Sequence, residues 1–340
     1  MMSSSSRAIS KLLSILGLGL IGGAVGAAFA YLGVSKSIEY LIYGFLDGLA
    51  ITLLMGTYTL VIARRWVIPH LRRLPFAYKI LFNSALYATL FVAGRAFGHV
   101  LRGASFEDFF SGSFAVSIAL AFGLAMLLNF LLEVSALLGS TVVWSFVRGT
   151  YHQPIEEERY FLFIDLASST ALAEELGNKK FLGLLSRFFY DMGEAVLETG
   201  GEIYKYVGDE AIITWKVTSG SAPLECYFRF VALMEEGRER YIEDFGRLPS
   251  YRAGLHGGFV IAGELGEAKK EVAYLGDVVN TAARLMDLGK QKKLPLLVSE
   301  YVRTKIDVAM QERFSFEAIS NETLRGKTES FSIYSVSKRS

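Results

Sequence analysis

Two patterns of apolar and polar positions divide the chain near Pro154. Before it, residues 12–147 run in long apolar stretches with few charges; after it, residues 154–340 mix charged and apolar positions at the spacings of helices and strands. A helix needs about 20 apolar residues to cross a bilayer's hydrocarbon core. Four stretches reach that length: 12–34, 40–63, 78–101 and one within 113–147. The pattern predicts an all-α transmembrane bundle of about four helices over residues 1–147, serving as anchor and possible sensor. A juxtamembrane linker over 148–159 and a globular domain over 160–340 follow.

Within the globular half, the run Tyr160 to Leu166 predicts a buried strand that ends near Asp165, and Ser168, Ser169 and Thr170 suit a helix start. Leu182, Leu185, Phe189, Met192 and Val196 recur at helical spacing between Lys179 and Glu198, and Gly200-Gly201 ends the pattern. Glu202 to Val207 and Ala211 to Trp215 read as strands joined through Gly208-Asp209, a hairpin signal. A helix from Pro223 to Phe245, strands over Tyr251 to Ile261 and Glu271 to Leu275, a helix from Val278 to Leu288, and strands over Phe314 to Ile319 and Phe331 to Val336 complete the reading. Their order predicts an α+β domain with helices packed on an antiparallel or mixed sheet.

Composition sharpens this picture in three places. The hydrophobic content of 52% is high, and the excess lies in the N-terminal half. A net charge of +1, with no basic stripe interleaved with aromatics, predicts no nucleic-acid partner. The one cysteine, Cys226, cannot close an intrachain disulfide and reads as helix core. Positive residues of the short connections set orientation: Arg7 and Lys11 precede the first span, and Arg64, Arg65, Arg72, Arg73 and Lys79 crowd the second connection. The chain is therefore expected as a multi-pass protein of the cell inner or plasma membrane, in contact with its lipid, with the N-terminus and the globular domain cytosolic. The first apolar run also has the shape of a signal peptide, whose removal leaves the globular domain on the same side. Gly17, Gly19 and Gly22 spell a GxGxxG inside an apolar span, where glycines permit close helix packing rather than dinucleotide binding. Asp47 and Arg95 are ionisable groups within spans and candidates for a structural pair or a ligand-sensing site.

Candidate chemistry lies in the second half. Asp165 at a strand end and Asp209 on a hairpin tip can offer two carboxylates to hard divalent cations, which favour oxygen ligands and substrate phosphates. Either aspartate alone also suits a turn or a cap. Ala167 to Thr170 can present backbone N–H groups to a triphosphate at a helix start, or serve as an ordinary Ser/Thr cap. Asn280 and Arg284 lie four apart on a helix and share a face; Arg can offset charge growing on a phosphoryl centre and Asn can hold a ribose. Lys327, after Gly326, can reach a phosphate.

Over residues 156–338 these features together resemble the catalytic domain of class III adenylyl and guanylyl cyclases. The matches are Phe163-Ile164-Asp165-Leu166 with Ser169-Thr170, Lys205-Tyr206-Val207-Gly208-Asp209-Glu210, and Gly276-Asp277-Val278-Val279-Asn280-Thr281-Ala282-Ala283-Arg284-Leu285. The resemblance implies a ferredoxin-like βαββαβ core and conversion of ATP to 3′,5′-cyclic AMP and pyrophosphate. It further implies that Asp165 and Asp209 bind two Mg²⁺ or Mn²⁺ ions per active site, one of which activates the ribose 3′-hydroxyl for in-line attack on the α-phosphate. Asn280 then orients the ribose, Arg284 stabilises the transition state, Lys327 holds the terminal phosphates and Lys205 reads adenine. In this family metal ligands and the Asn/Arg pair come from different members of a head-to-tail pair, which implies a homodimer through the catalytic and transmembrane domains. Two positions depart from the family pattern. Ser168 stands where a glycine is usual, and Ala273 stands at the second base-selecting position, where its methyl group cannot accept a hydrogen bond. Guanylyl or mixed activity is the alternative, and a catalytically silent dimeric receptor is a third reading that the intact set Asp165, Asp209, Asn280 and Arg284 disfavours.

Overall fold

The structure is a computed structural model that describes residues 4–33, 36–67, 74–101, 114–138, 149–268, 270–306, 312–322 and 331–339. The chain forms two compact units, Met1–Leu138 and Gly139–Ser340.

The first unit is helical: α1 (Ser4–Gly33), α2 (Ile38–Thr57, continued as a π-helix over Tyr58–Val67), α3 (Phe76–Leu101) and α4 (Phe114–Leu138). Among the described residues, α1, α2 and α3 are long and apolar enough to cross a membrane, whereas the apolar stretch of α4 is the shorter Ala121–Leu131. Glycine explains how α1 and α2 pack. A Cβ on Gly26 would lie 2.1 Å from the Gly44 carbonyl oxygen, and one on Gly44 2.3 Å from that of Gly26, so the two backbones touch where no side chain fits. Gly19 and Gly22 of the GxGxxG meet Leu53 and Thr52 in the same interface, which accounts for two of its three glycines by packing. Asp47 on α2 and Arg95 on α3 are half-buried.

The second unit runs β1 (Ile155–Leu166), α5 (Ser169–Leu176), α6 (Asn178–Glu198), β2 (Glu202–Val207), β3 (Glu210–Lys216), α7 (Ala222–Glu236), α8 (Arg238–Phe245), β4 (Tyr251–Leu265), β5 (Glu271–Leu275), α9 (Asp277–Lys292), β6 (Leu296–Ser299), α10 (Glu300–Lys305), β7 (Phe314–Glu322) and β8 (Phe331–Lys338). One mixed sheet has the order β2-β3-β1-β4-β6-β8-β7, with β5 paired to β4. The first four strands and their helices form a βαββαβ arrangement, antiparallel throughout, and β6 adds parallel to β4.

β1 is central because both its faces are apolar. Tyr160, Leu162 and Ile164 enter one core with Leu184, Phe188 and Phe230 of α6 and α7, while Phe161 and Phe163 enter another with Val278, Ala282 and Met286 of α9. A strand buried on both sides reads as an unbroken apolar run. α9 sits directly on the sheet at Gly254, where a Cβ would come within 2.3 Å of the Met286 backbone nitrogen.

Several expected boundaries shift. β1 begins at Ile155, before the expected Tyr160, because the charged residues Glu156 to Arg159 pair with β4 from Ile155↔Ala262 onward. The helix expected over Pro223 to Phe245 is two, divided at Gly237. β6 was not expected from the pattern: four buried residues are too few to show a period.

Candidate active site

β1 delivers Asp165 to the sheet edge between Glu210 of β3 and Arg252 of β4, and the Gly208-Asp209 turn brings Asp209 beside it. Gly208, at φ +64°, takes the left-handed conformation this tight turn requires. Burial pushes the Asp165 carboxyl up to about 6, with the hydrogen bond and negative charge of Asp209 acting in the same direction and Lys290 opposing them. Glu210 is pushed up to about 7 by burial and then by Asp165, Asp287 and Asp209. No group of three or more His, Cys, Asp and Glu that could hold a metal occurs among the described residues. The donor set is therefore the facing pair Asp165 and Asp209. It fits a hard cation that takes one or two carboxylates and completes its shell with water and phosphate oxygens, because such an ion offsets the burial and the Asp209 charge that raise Asp165.

The chain then turns sharply. Ala167 N–H donates to the Ser250 carbonyl (2.8 Å). Ser168 is left-handed (φ 58°, ψ 36°) and makes no side-chain cap to α5, so the ordinary Ser/Thr cap is not formed there. Ser169 and Thr170 open α5, with Ser168 and Thr170 exposed.

Asn280 and Arg284 lie on α9 away from its buried residues Val278, Ala282, Leu285 and Met286. Asn280 is exposed. Arg284 is half-buried, and its Nη1 is shielded from solvent with no hydrogen-bond partner among the described residues. Lys290, the cation that reaches Asp165, stands near the other end of this helix. At about 1.5 Å per residue, Asn280 is roughly 15 Å from Lys290 along the axis. Arg284 stands between the two, one turn before Asp287, whose charge reaches Glu210.

Lys205 and Ala273 sit on β2 and β5, which β3, β1 and β4 separate along the ladder. They are nevertheless close, because the sheet curls until the rings of Tyr204 and Tyr274 are 5.0 Å apart. Lys205 Nζ contacts not Ala273 but Glu271 Oε2, at 2.8 Å. That hydrogen bond raises the Lys205 pKa. Lys327 lies outside the described residues.

Two acids in this region had no role assigned from the sequence. Glu210 follows Asp209 directly and pairs with Asp165 across the β1–β3 ladder. Glu271 precedes Ala273 by two in an alternating strand and so shares its side, a placement period-2 reasoning could have given.

The comparisons agree with this geometry. Residues 151–337 match the model of the adenylate and guanylate cyclase catalytic domain. Adenylate cyclase 2 of Rhizobium meliloti (strain 1021) is 42% identical over 173 residues, 50% of this chain and 48% of that protein. An adenylate cyclase of Anabaena cylindrica is 28% identical over 185 residues, 52% of this chain and 36% of that protein. The chain thus spans about half of the first relative and about a third of the second. In fold, a bacterial light-regulated adenylyl cyclase superposes with a TM-score of 0.52 at 21% identity, covering 63% of this chain and 64% of that one. With the catalytic-domain match spanning more than half of its length, this chain belongs to the adenylate and guanylate cyclase family.

Proposed function

We propose that the chain is a membrane-anchored adenylate cyclase that converts ATP to 3′,5′-cyclic AMP and pyrophosphate. The observation that carries this reading is the facing pair Asp165 and Asp209 at the end of β1, two acids in contact whose burial and mutual charge outweigh the pull of Lys290. Mg²⁺ or Mn²⁺ held by this pair would supply Lewis-acid polarisation and a more acidic ribose 3′-hydroxyl. The 3′-hydroxyl gives up its proton to solvent as its oxygen bonds to the α-phosphorus, the bond from that phosphorus to the oxygen bridging to the β-phosphate breaks, and pyrophosphate leaves.

The chain's own groups orient this exchange. Backbone N–H groups of Ser168, Ser169 and Thr170 face the triphosphate, Asn280 holds the ribose, and Lys327 takes the terminal phosphates. Arg284, whose Nη1 has no hydrogen-bond partner among the described residues, donates to the phosphoryl oxygens as charge builds. As the family resemblance implies, the metal aspartates of one copy work with the Asn/Arg pair of another, so one copy does not complete a site. Two copies in head-to-tail array complete two. The helices α1 to α3 support a membrane anchor, and the positive connections support a cytosolic catalytic half. We assign residues 1–147 to anchor and possible sensor, 148–159 to a junction whose last residues enter β1 at Ile155, and 160–340 to catalysis.

Ala273 favours a second reading, a guanylyl or mixed cyclase, since its methyl group selects no base. The test is product formation by the purified full-length protein with ATP or GTP and Mn²⁺, beside Asp209→Ala. Cyclic AMP from the wild type and none from the variant is expected. Cyclic GMP as the main product establishes the second reading, and no product from a folded dimer sinks both.

A further inference from the structure

We infer that Glu271 reads the purine base beside Lys205, accepting a hydrogen bond from the 6-amino group and so supplying the acceptor that Ala273 lacks. This inference rests on the cyclase reading above and assigns its base specificity. Its starting point is the contact of Lys205 Nζ with Glu271 Oε2 at 2.8 Å, between strands that are not neighbours in the sheet.

The pair stands on a rigid floor. Val272 and Tyr274 of β5 point into the core, so Glu271 and Ala273 project from the other side of the strand. Beneath them Tyr274 packs edge-on to Tyr204, and its hydroxyl accepts from Arg159 Nη1 (2.8 Å), a side chain with no exposed surface. These buried contacts fix the position of both strands. Above the floor, the Lys205 and Glu271 side chains are 40% and 36% exposed, open to a ligand. Ala273 shares this side of β5, and its small methyl side chain leaves room for a ring.

The chemistry then selects. The adenine edge offers an acceptor at N1 next to a donor at the 6-amino group; guanine offers a donor at N1 next to an acceptor at O6. Ammonium is a donor only and carboxylate an acceptor only. With Lys205 at N1 and Glu271 at the 6-position, adenine makes two charge-assisted hydrogen bonds, whereas guanine sets its O6 against a carboxylate and its N1–H against an ammonium. Carboxylate and ammonium have capacity beyond the bond they share, so the ion pair stays closed when the base docks. A purely structural pair, half-exposed as this one is, would contribute little and would not distinguish bases.

The test compares kcat/KM of the purified full-length chain with Mn²⁺ for ATP, GTP and purine riboside triphosphate, which lacks the 6-amino group. Wild type, Glu271→Ala and the isosteric Glu271→Gln are measured together. Glu271→Ala should lower kcat/KM for ATP by about 10- to 100-fold and leave purine riboside triphosphate little affected. Glu271→Gln, whose amide both donates and accepts, should keep more ATP turnover and gain on GTP. Equal losses on ATP and purine riboside triphosphate in both variants would show that Glu271 only props Lys205, and a loss confined to GTP would show the base seated the other way round; either result overturns the inference. A wild type that makes no cyclic nucleotide overturns the cyclase reading and this inference together, a result distinct from the other two.

Discussion

Strand β1 carries a charged residue toward each end, and the two ends treat it in opposite ways. Arg159 has no exposed side-chain surface, yet every part of its guanidinium is answered: Nε donates to Thr214, Nη1 to Glu157 and Tyr274, and Nη2 to Glu202 at 2.7 Å. Its plane also lies 4.8 Å over the Tyr274 ring. Asp165 is faced instead by Asp209, with Glu210 beside it across the ladder, and burial with the Asp209 contact raises its pKa against the pull of Lys290. A buried charge whose partners all belong to the chain is architecture. One whose neighbours repel it is completed by something the chain does not supply.

The largest expected effect is at the closed end. Arg159→Met keeps most of the volume and strips Glu157 and Glu202 of their cation. Losing one member of such a network should cost about 3–5 kcal/mol, measured by denaturant unfolding of the detergent-solubilised chain. A cost below about 1 kcal/mol would erase the contrast between the two ends. Tyr274→Phe removes one hydrogen bond from the same guanidinium and should cost about 1–1.5 kcal/mol. Because Tyr274 also anchors β5, the same variant should raise KM for ATP more than it lowers kcat, which steady-state kinetics will read.

How much of this contrast the sequence displays follows from the same two residues. The Asp165 end is legible, since a strand closing on Asp, small polar residues after it and a Gly-Asp hairpin tip are all local patterns. Three of the four expected spans are legible too, because a membrane-length run is a property of consecutive residues, while the fourth shows only the shorter Ala121–Leu131 among the described residues. The Arg159 end is not. Glu156 to Arg159 look like solvated linker, and only the arrival of Glu202, Thr214 and Tyr274 from remote strands turns them into the buried start of β1. The same holds for Lys205 and Glu271, which meet only because the sheet curls. β6 escaped for a different reason, being too short to carry a period.

At the open end the sign should reverse. Asp165 and Glu210 are raised to about 6 and about 7, above their unfolded values near 4. A raised carboxyl contributes stability that is fully present below the unfolded pKa and is lost as pH rises through the folded one. Without metal, stability should therefore fall between about pH 4 and 7, by about 1–2 kcal/mol after allowance for solvent screening. Melting temperature against pH in EDTA measures this, and Asp165→Asn should flatten the curve. Mn²⁺ should restore the loss above pH 7, since a cation takes the ionised pair. A flat profile in EDTA would mean that the acids at this end do not repel, and the comparison would fail there.

The smallest effect concerns the residue that turns the chain away from Asp165. Ser168 is left-handed at φ 58°, a conformation in which a side chain costs about 1–2 kcal/mol and glycine nothing. Its hydroxyl caps no helix N–H, so the side chain gives nothing back to the turn. Glycine would relieve that strain but widen the unfolded ensemble, which takes back about 0.5–1 kcal/mol. Ser168→Gly should therefore stabilise by only about 0.5 kcal/mol, while Ser168→Ala, which keeps the Cβ and drops only the hydroxyl, should change little. Both are measured by denaturant unfolding without metal. A clear loss in Ser168→Ala would reveal a partner for the hydroxyl and make this turn a closed structure like the Arg159 end; stabilisation by glycine alone would identify backbone strain, which is held beside the repelling acids at the open end of β1 and absent from the closed one.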